Sequence, residues 1–413
     1  MPRLTIVSQW YPPEQAPFGR MMHELATSLA GAGWDVTVIT AFPNHPSGVV
    51  QAGYTKKWVQ EERTQDGVRL LRVWLATSAR RSFLSRLATF FSFTVTASWR
   101  LWREPRPDVI FAVLQPLSVG LTLPLIASLK GARLVLNVQD LHPDAQIRLG
   151  MIRNPAVIRV LKWIESHAYR SCAALTVICE NFRHHVERHG GPAGRVSVIG
   201  NWVDAERIRP EPEAGRRFRH ELGIADEDFC VLWAGTLGHV SGVEVVVEAA
   251  GALRSNSRIR FLIVGEGPRK ESAQRRAREL GLTQVQFLGF QPESRLAAMQ
   301  SAADVSLVTL APHLAEVSVP SKVLAYFAAG RPVIGGVPRE SETASLLQRA
   351  GAGWVVPAGD AIALSDAIER LSRDPESAAR LGHAAREFAV RELSAEAASV
   401  RYAELFKSVC EDK

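Results

Sequence analysis

The stretch Val319-Pro320-Ser321-Lys322-Val323-Leu324-Ala325-Tyr326-Phe327-Ala328-Ala329-Gly330-Arg331-Pro332-Val333-Ile334 decides the fold of this chain. It reads as a compact apolar helix that opens on a cation, stops at a glycine and runs straight into a new strand. Helix followed at once by an apolar β-branched strand is the repeat unit of a parallel sheet. A helix N-terminus carries unpaired N–H groups and a partial positive charge, so Lys322 is placed to meet an anion such as a diphosphate.

The same alternation runs outward in both directions. In the first half, strand patterns fall at Leu4–Ser8, Asp35–Thr40, Val109–Val113, Leu134–Val138, Leu175–Ile178 and Val196–Ile199. Between the first two, Met21, Leu25, Ala26 and Leu29 recur at helical spacing, and Gly31 and Gly33 mark the helix end. The second half restarts at Cys230–Trp233 and continues at Phe261–Val264, Val285–Leu288, Val305–Leu310, Val333–Gly335 and Trp354–Val356. Between the halves, the segment 207–223 (RIRPEPEAGRRFRHELG) breaks both periods with proline and charge and reads as a linker. Glu387–Lys407 reads as one C-terminal helix. The expectation is an α/β protein of two doubly wound, Rossmann-like domains facing a cleft.

At 413 residues the chain exceeds one ordinary core, which agrees with two domains. With 46% apolar and 22% charged residues it has the mix of a soluble globular protein rather than a disordered or membrane-spanning one. A net charge of +7 suits anionic partners, though any single Arg reads equally well as plain surface. Cys172, Cys179, Cys230 and Cys410 show no metal or disulfide spacing, which fits a reducing cytoplasm, and Met1 leads directly into a strand without a signal-peptide pattern. Phe83–Trp102 is rich in Phe and Trp, holds Arg86 and Arg100 and is flanked by Arg80, Arg81 and Arg103. It reads either as a helix lying in a membrane interface or as an amphipathic helix packed on the core.

Open parallel sheets bind ligands beyond the C-terminal ends of their strands, so loops there carry the candidate chemistry. Gly19 would let backbone approach a ligand, with Arg20 beside the next helix start. Asp140 follows a strand directly, with His142 close behind, as acid/base or orienting candidates. Gly235-Thr236-Leu237-Gly238-His239 forms a glycine-rich turn able to bring N–H groups against phosphate. Gly265 opens a glycine pair that lacks the third glycine of a dinucleotide fingerprint. No HExxH, GxSxG, Walker loop or metal-ligand cluster is apparent in the linear sequence.

Taken in order, SQWYPPE, LAGAGWDVTVIT, NVQDLHPDA, Asn201-Trp202-Val203-Asp204, WAGTLG, LIVGEGP, FLGF, VPSKVLAYFAAGRPVI and SETASLLQRAGAGWVV resemble glycosyltransferase family 4 over nearly the whole chain. These are retaining enzymes of the GT-B fold, and the likeness is strongest to the subgroup that builds bacterial surface polysaccharides. The resemblance implies an acceptor-side domain at 1–200, a nucleotide-sugar domain at 201–386 and a C-terminal helix at 387–413 crossing back to the first domain. It implies metal-independent transfer of a hexosyl or N-acetylhexosaminyl group from a nucleotide donor, UDP by expectation, with no cofactor beyond that substrate. The acceptor implied is a hydroxyl of a lipid-linked or glycan acceptor, an undecaprenyl-diphosphate-linked one among the candidates, and the aromatic and basic residues of Phe83–Trp102 add an expected contact with the inner face of the cytoplasmic membrane. Nucleic acid is not expected as a partner.

By the same resemblance Lys322, Asp140 and Glu316 take the catalytic positions. Gly19, Arg20, His142, Gly235, Thr236, Gly238, Gly265, Gly289, Ser321, Ser341 and Glu342 take substrate-binding ones. Two departures stand out. Ala325 occupies the place of the family's second glutamate, with Glu316 near the first, and His239 and Ser241 occupy the neighbourhood of the usual phosphate cations. Two other readings stay open: a GT-B sugar-nucleotide epimerase, or a non-catalytic glycosyltransferase-like partner.

Overall fold

The computed structural model describes residues 1–411 except 15, 16, 46, 55, 56, 80, 81, 149, 239 and 312–320. Val109–Val113 is buried at every position, and Ile259–Val264 nearly so; strands hidden on both faces are the mark of a parallel sheet sandwiched between helices. The chain divides into two compact units, 1–200 with 398–413, and 201–397.

The first unit holds β1 (Arg3–Val7), β2 (Asp35–Ala41), β3 (Val59–Arg63), β4 (Arg69–Val73), β5 (Val109–Val113), β6 (Arg133–Val138), β7 (Ala174–Val177) and β8 (Val196–Val198). Their order is β3-β4-β2-β1-β5-β6-β7-β8, parallel throughout except for the antiparallel β3–β4 pair. The second unit holds β9 (Phe229–Ala234), β10 (Ile259–Val264), β11 (Val285–Leu288), β12 (Val305–Thr309), β13 (Val333–Gly336) and β14 (Gly353–Val356), all parallel in the order β11-β10-β9-β12-β13-β14. Each sheet reverses its winding direction once, between β1 and β5 in the first and between β9 and β12 in the second. These are the topological switch points at which such sheets bind ligands.

Three segments depart from the sequence expectation. The hairpin β3–β4 is absent from it because VQEER is polar and half-exposed, so no apolar alternation marks the strand. Arg69 pairs diagonally with Glu61 at 2.7 Å, and buried Arg72 reaches Glu62 at 3.1 Å. The expected linker is in fact a helix over Pro212–Glu221, with proline at its first turn where a missing N–H costs nothing. It buries Phe218, and Gly215 lies where a Cβ would stand 2.6 Å from the Ser301 carbonyl carbon. The single helix expected over Glu387–Lys407 is two, Pro375–Glu392 and Ala395–Glu411. Ser394 caps the second through its Oγ to Ala397 N, while Leu393 O accepts from Val203 N at 2.9 Å. The last helix then enters the first unit's core, where Tyr402 packs edge-on against Phe111 and its hydroxyl accepts from Asn137 Nδ2 at 3.1 Å.

Among the described residues no helix is long and apolar enough to cross a membrane. Helix Phe83–Arg103 has two faces, one of them packed on the core. Phe93, Ala97 and Leu101 are buried, while Leu84, Leu87, Phe91, Val95, Trp99 and Trp102 are exposed along the opposite stripe.

Candidate functional site

At the second unit's switch point the sheet opens. β9 and β12 pair only at Val231–Val305 and Leu232–Ser306, although both strands run further toward their C-terminal ends. The backbone of Ala234 thereby lacks a partner on β12, and Tyr326 takes that place. The tyrosine hydroxyl accepts from Ala234 N at 2.9 Å and donates to Ala234 O at 3.2 Å, fully buried. A buried N–H without a partner would be costly, so one side chain holds the mouth of the sheet open.

Lys322 stands beside that mouth, at the start of helix Lys322–Ala328, which Gly330 closes in a left-handed conformation. Its Nζ lies 3.7 Å from the centre of the Trp233 ring. A Cβ placed on Gly235 would sit 3.6 Å from the same nitrogen, so glycine there keeps the ammonium against bare backbone. The Trp233 ring is itself fixed: its indole N–H donates to Thr309 Oγ1 at 2.9 Å, and that hydroxyl donates to Ser241 O at 2.7 Å. The lysine stem leaves the residue half-buried, but its charged end is desolvated, and burial pushes its pKa down to about 7. Among the described residues no carboxylate pairs with it. The helix has only seven residues, so the cation rather than a long helix dipole supplies the positive charge.

Two glycine turns pack on one another next to Lys322. Gly235 donates to Val264 O and Leu237 to Glu266 O, both at 2.9 Å. Gly265, at a φ of 146°, lies where a Cβ would be 1.8 Å from Gly235 O, which no side chain survives. Leu237 is buried and anchors the turn, while Thr236 is exposed and Gly238 half-exposed. Ser241 closes the turn on Gly238 O through its hydroxyl at 2.8 Å, so this residue holds the loop instead of supplying a charge. Gly289 follows β11 and faces Glu266, whose carboxylate binds Lys270 at 2.6 Å.

The remaining candidates of this unit differ in what occupies them. Ser321 is exposed at the N-cap of Lys322's helix and makes no side-chain cap bond. Ser341 caps helix Glu342–Ala350 by accepting from Ala344 N at 3.2 Å, and Glu342 begins that helix with Arg349 3.9 Å away. Ala325 is half-buried in the middle of the lysine helix. Glu316 and His239 lie outside the described residues.

In the first unit the loop after β1 turns on Gly19, where a Cβ would meet Tyr11 N at 3.2 Å. Arg20 is half-exposed and pairs with Glu24 at 3.3 Å. After β6, Asp140 is exposed and 3.8 Å from His142 Nε2, while Gln146 holds the other ring nitrogen. The sequence reading missed Glu14. Its buried carboxylate accepts from Asn44 N at 2.6 Å and His45 N at 2.8 Å, tying the loops after β1 and β2 together. Burial raises its pKa against those hydrogen bonds. A charged residue beside two prolines was the available signal. Tyr326 and Trp233 were also missed, since an aromatic in an apolar run reads as core.

These features stand beside a consistent set of relatives. The profile of the glycosyl transferase 4-like domain matches residues 18–202, and that of the glycosyl transferases group 1 matches 216–388. The putative colanic acid biosynthesis glycosyl transferase WcaI of Escherichia coli (strain K12) is 30% identical over 78% of this chain and 79% of its own length. The probable glycosyltransferase WbjE of Pseudomonas aeruginosa is 24% identical over 90% of each. Among solved structures, a sucrose-phosphate synthase from Thermosynechococcus elongatus superposes with a TM-score of 0.73 at 20% identity, covering both chains completely. HepE of Anabaena in complex with UDP-glucose does so at 0.70 and 17%, covering 98% of this chain and 99% of its own. The two-sheet GT-B architecture, the paired profile matches and the likeness to WcaI place this chain in the glycosyltransferase family of group 1 enzymes with a 4-like N-terminal domain.

Proposed function

We propose that this glycosyltransferase moves a hexosyl or N-acetylhexosaminyl group from a UDP-linked donor to a hydroxyl of a lipid-linked glycan, with retention and without a catalytic metal. The observation that carries the reading is Lys322, a desolvated cation without a carboxylate partner among the described residues, held against Gly235 at a sheet switch point. A diphosphate is the anion that matches it, and its binding restores the proton that burial makes labile. In the reaction the C1–O bond to the diphosphate breaks and a new C1–O bond to the acceptor forms on the same face. The acceptor proton passes to a phosphate oxygen, and Lys322 stabilises the charge on the departing diphosphate. Asp140 and His142 are assigned to the acceptor side, Arg20 to the diphosphate as a second cation, Glu342 and Ser341 to the ribose or sugar, and the two glycine turns to the phosphates.

The solved HepE complex with UDP-glucose supports the donor class, and the colanic acid relative supports a surface polysaccharide as the product. The exposed stripe Leu84, Leu87, Phe91, Val95, Trp99 and Trp102 supports peripheral attachment to the cytoplasmic membrane. Arg103 lies 5.4 Å from the Trp99 ring and Lys130 5.6 Å from the Trp102 ring, aromatic and cationic together as an anionic lipid surface requires. Incubation of the protein with radiolabelled UDP-sugars and a membrane fraction tests the reading. Label in the lipid phase supports it; free epimerised nucleotide, or no donor binding at all, overturns it. Cosedimentation with anionic vesicles tests the attachment: Phe91→Glu with Leu87→Glu should abolish it, and undiminished binding would overturn the assignment of that stripe.

A further inference from the structure

The first unit gathers a second set of polar side chains behind the turn that carries Asp140 and His142. Asp144, His185 and His189 each offer a ligand atom, and these atoms all lie within 4.8 Å of one another. Linear spacing hides the group, because Asp144 comes from the turn after β6 and the two histidines from helix Glu180–Arg188 and its cap. The readable part was the pair four residues apart, which places both rings on one helix face, stacked 4.1 Å apart.

The surroundings orient both rings. His185 Nε2 faces Glu165 Oε1 at 3.3 Å, which leaves Nδ1 toward Asp144 Oδ2 at 3.8 Å, too long for a hydrogen bond. His189 Nδ1 is 2.8 Å from His185 O and donates to it, so Nε2 keeps its lone pair. A histidine whose far nitrogen donates to a carboxylate or carbonyl is the arrangement that orients metal-ligating imidazoles. Glu165 adds an independent sign. It has no exposed surface, accepts from Tyr169 OH at 3.0 Å, and its Oε2 has no partner. A buried carboxylate needs a compensating positive charge. Lys162 holds Asp144 Oδ1 at 2.9 Å but is itself half-exposed, and it leaves Oδ2 available.

We propose that Asp144, His185 and His189 bind a divalent transition ion of the zinc type, with Glu165 orienting His185 from behind and a water in the fourth position. Two imidazoles and one carboxylate suit such an ion better than Mg²⁺ or Ca²⁺. Around bonds of about 2.0 Å a tetrahedral ion needs ligand atoms roughly 3.3 Å apart, so the site closes by at most about 1.5 Å on binding. The ion fastens the turn that begins at Asp140 and His142 onto the helix carrying the two histidines.

The test uses the full, untagged chain. Equilibrium dialysis against Zn²⁺ with elemental analysis should show one retained equivalent, and Co²⁺ should give the visible absorption of a four-coordinate site. His189→Gln, half-exposed and tolerant of change, should lose the equivalent with its circular dichroism intact. Glu165→Gln should weaken binding by about 10–100-fold, as loss of a second-layer partner does. No retained zinc, or an equivalent that survives His189→Gln, overturns the proposal. So does a histidine NMR spectrum unmoved by Zn²⁺, which would mark the cluster as a protonated His185 bridging two carboxylates.

Discussion

The two sheets reverse at equivalent places yet equip those places with opposite charge. At the second unit's reversal, the described loops present a buried cation on a fixed indole, near Gly265, which is too tightly packed to bear a side chain. Near the first unit's reversal the loop after β1 carries a buried carboxylate, Glu14, one of whose oxygens accepts from two backbone N–H groups, while its cation, Arg20, is half-exposed and paired. The fold sets where a ligand can bind, since strand C-terminal ends converge there. The side chains set which ligand, because a desolvated cation demands an anion and a buried carboxylate repels one.

Removing the cation is the strongest way to break this contrast. Lys322→Ala should lower kcat by about 10²–10³-fold or more, as loss of one preorganised charge-stabilising donor does. Its thermal midpoint should not fall, because the buried ammonium was costly to hold. Near-normal turnover with UDP-sugar would reduce Lys322 to a packing residue. Arg20→Ala, by comparison, should cost only a few-fold.

Next in size is the brace. Tyr326→Phe strands the Ala234 N–H in the core and should destabilise the protein by about 1–3 kcal/mol, read in denaturant unfolding. It should also weaken UDP binding, because Ala234 leads directly into Gly235. A stable variant with unchanged UDP affinity would mean the sheet mouth needs no brace.

The pH dependence of UDP binding separates the two loops further. Free Lys322 loses its proton near pH 7, whereas a bound diphosphate keeps it charged. Above pH 7 binding must therefore take up a proton, and affinity should fall by up to about tenfold, or about 1.4 kcal/mol, per pH unit. Calorimetry in buffers of different ionisation enthalpy measures that uptake directly. Stability moves the other way: the unfolded chain binds more protons than the folded one from about pH 7 up to the ordinary lysine pKa near 10.4, so this group makes stability rise across that window. Lys322→Ala should abolish both slopes.

The smallest effect is expected at Glu14. Its folded pKa is raised, so the folded state binds more protons than the unfolded one above the ordinary carboxylate value. Its contribution is complete below that value and is lost as pH rises through the folded pKa. Glu14→Gln keeps an oxygen for Asn44 and His45, so it should leave turnover nearly unchanged and remove this part of the pH slope of stability, measured by melting between pH 4 and 7. An unchanged slope would show that Glu14 is ionised throughout and that the two loops are less different than their charges suggest.

Much of this was legible because its cause is local. Twelve of the fourteen described strands could be read within a residue or two from apolar runs such as VIFAV, and Gly330 announced the end of the Lys322 helix through its need for a left-handed backbone. Strand β3 escaped because a half-exposed edge strand needs no apolar alternation. The helix Pro212–Glu221 escaped because proline and charge look like a linker until Phe218 finds a core to enter. The break at Leu393–Ser394 escaped because both helices keep apolar residues at compatible spacing. Membership of the GT-B architecture, the strand-end position of Lys322 and the identity of the glycine turns were determined by sequence order alone, since periodicity and turn chemistry act over a few residues. That Lys322 is desolvated on Trp233, that Tyr326 holds Ala234, and that Asp144 meets His185 and His189 were decided only by tertiary structure, because desolvation and hydrogen-bond partnership depend on residues far apart in the chain.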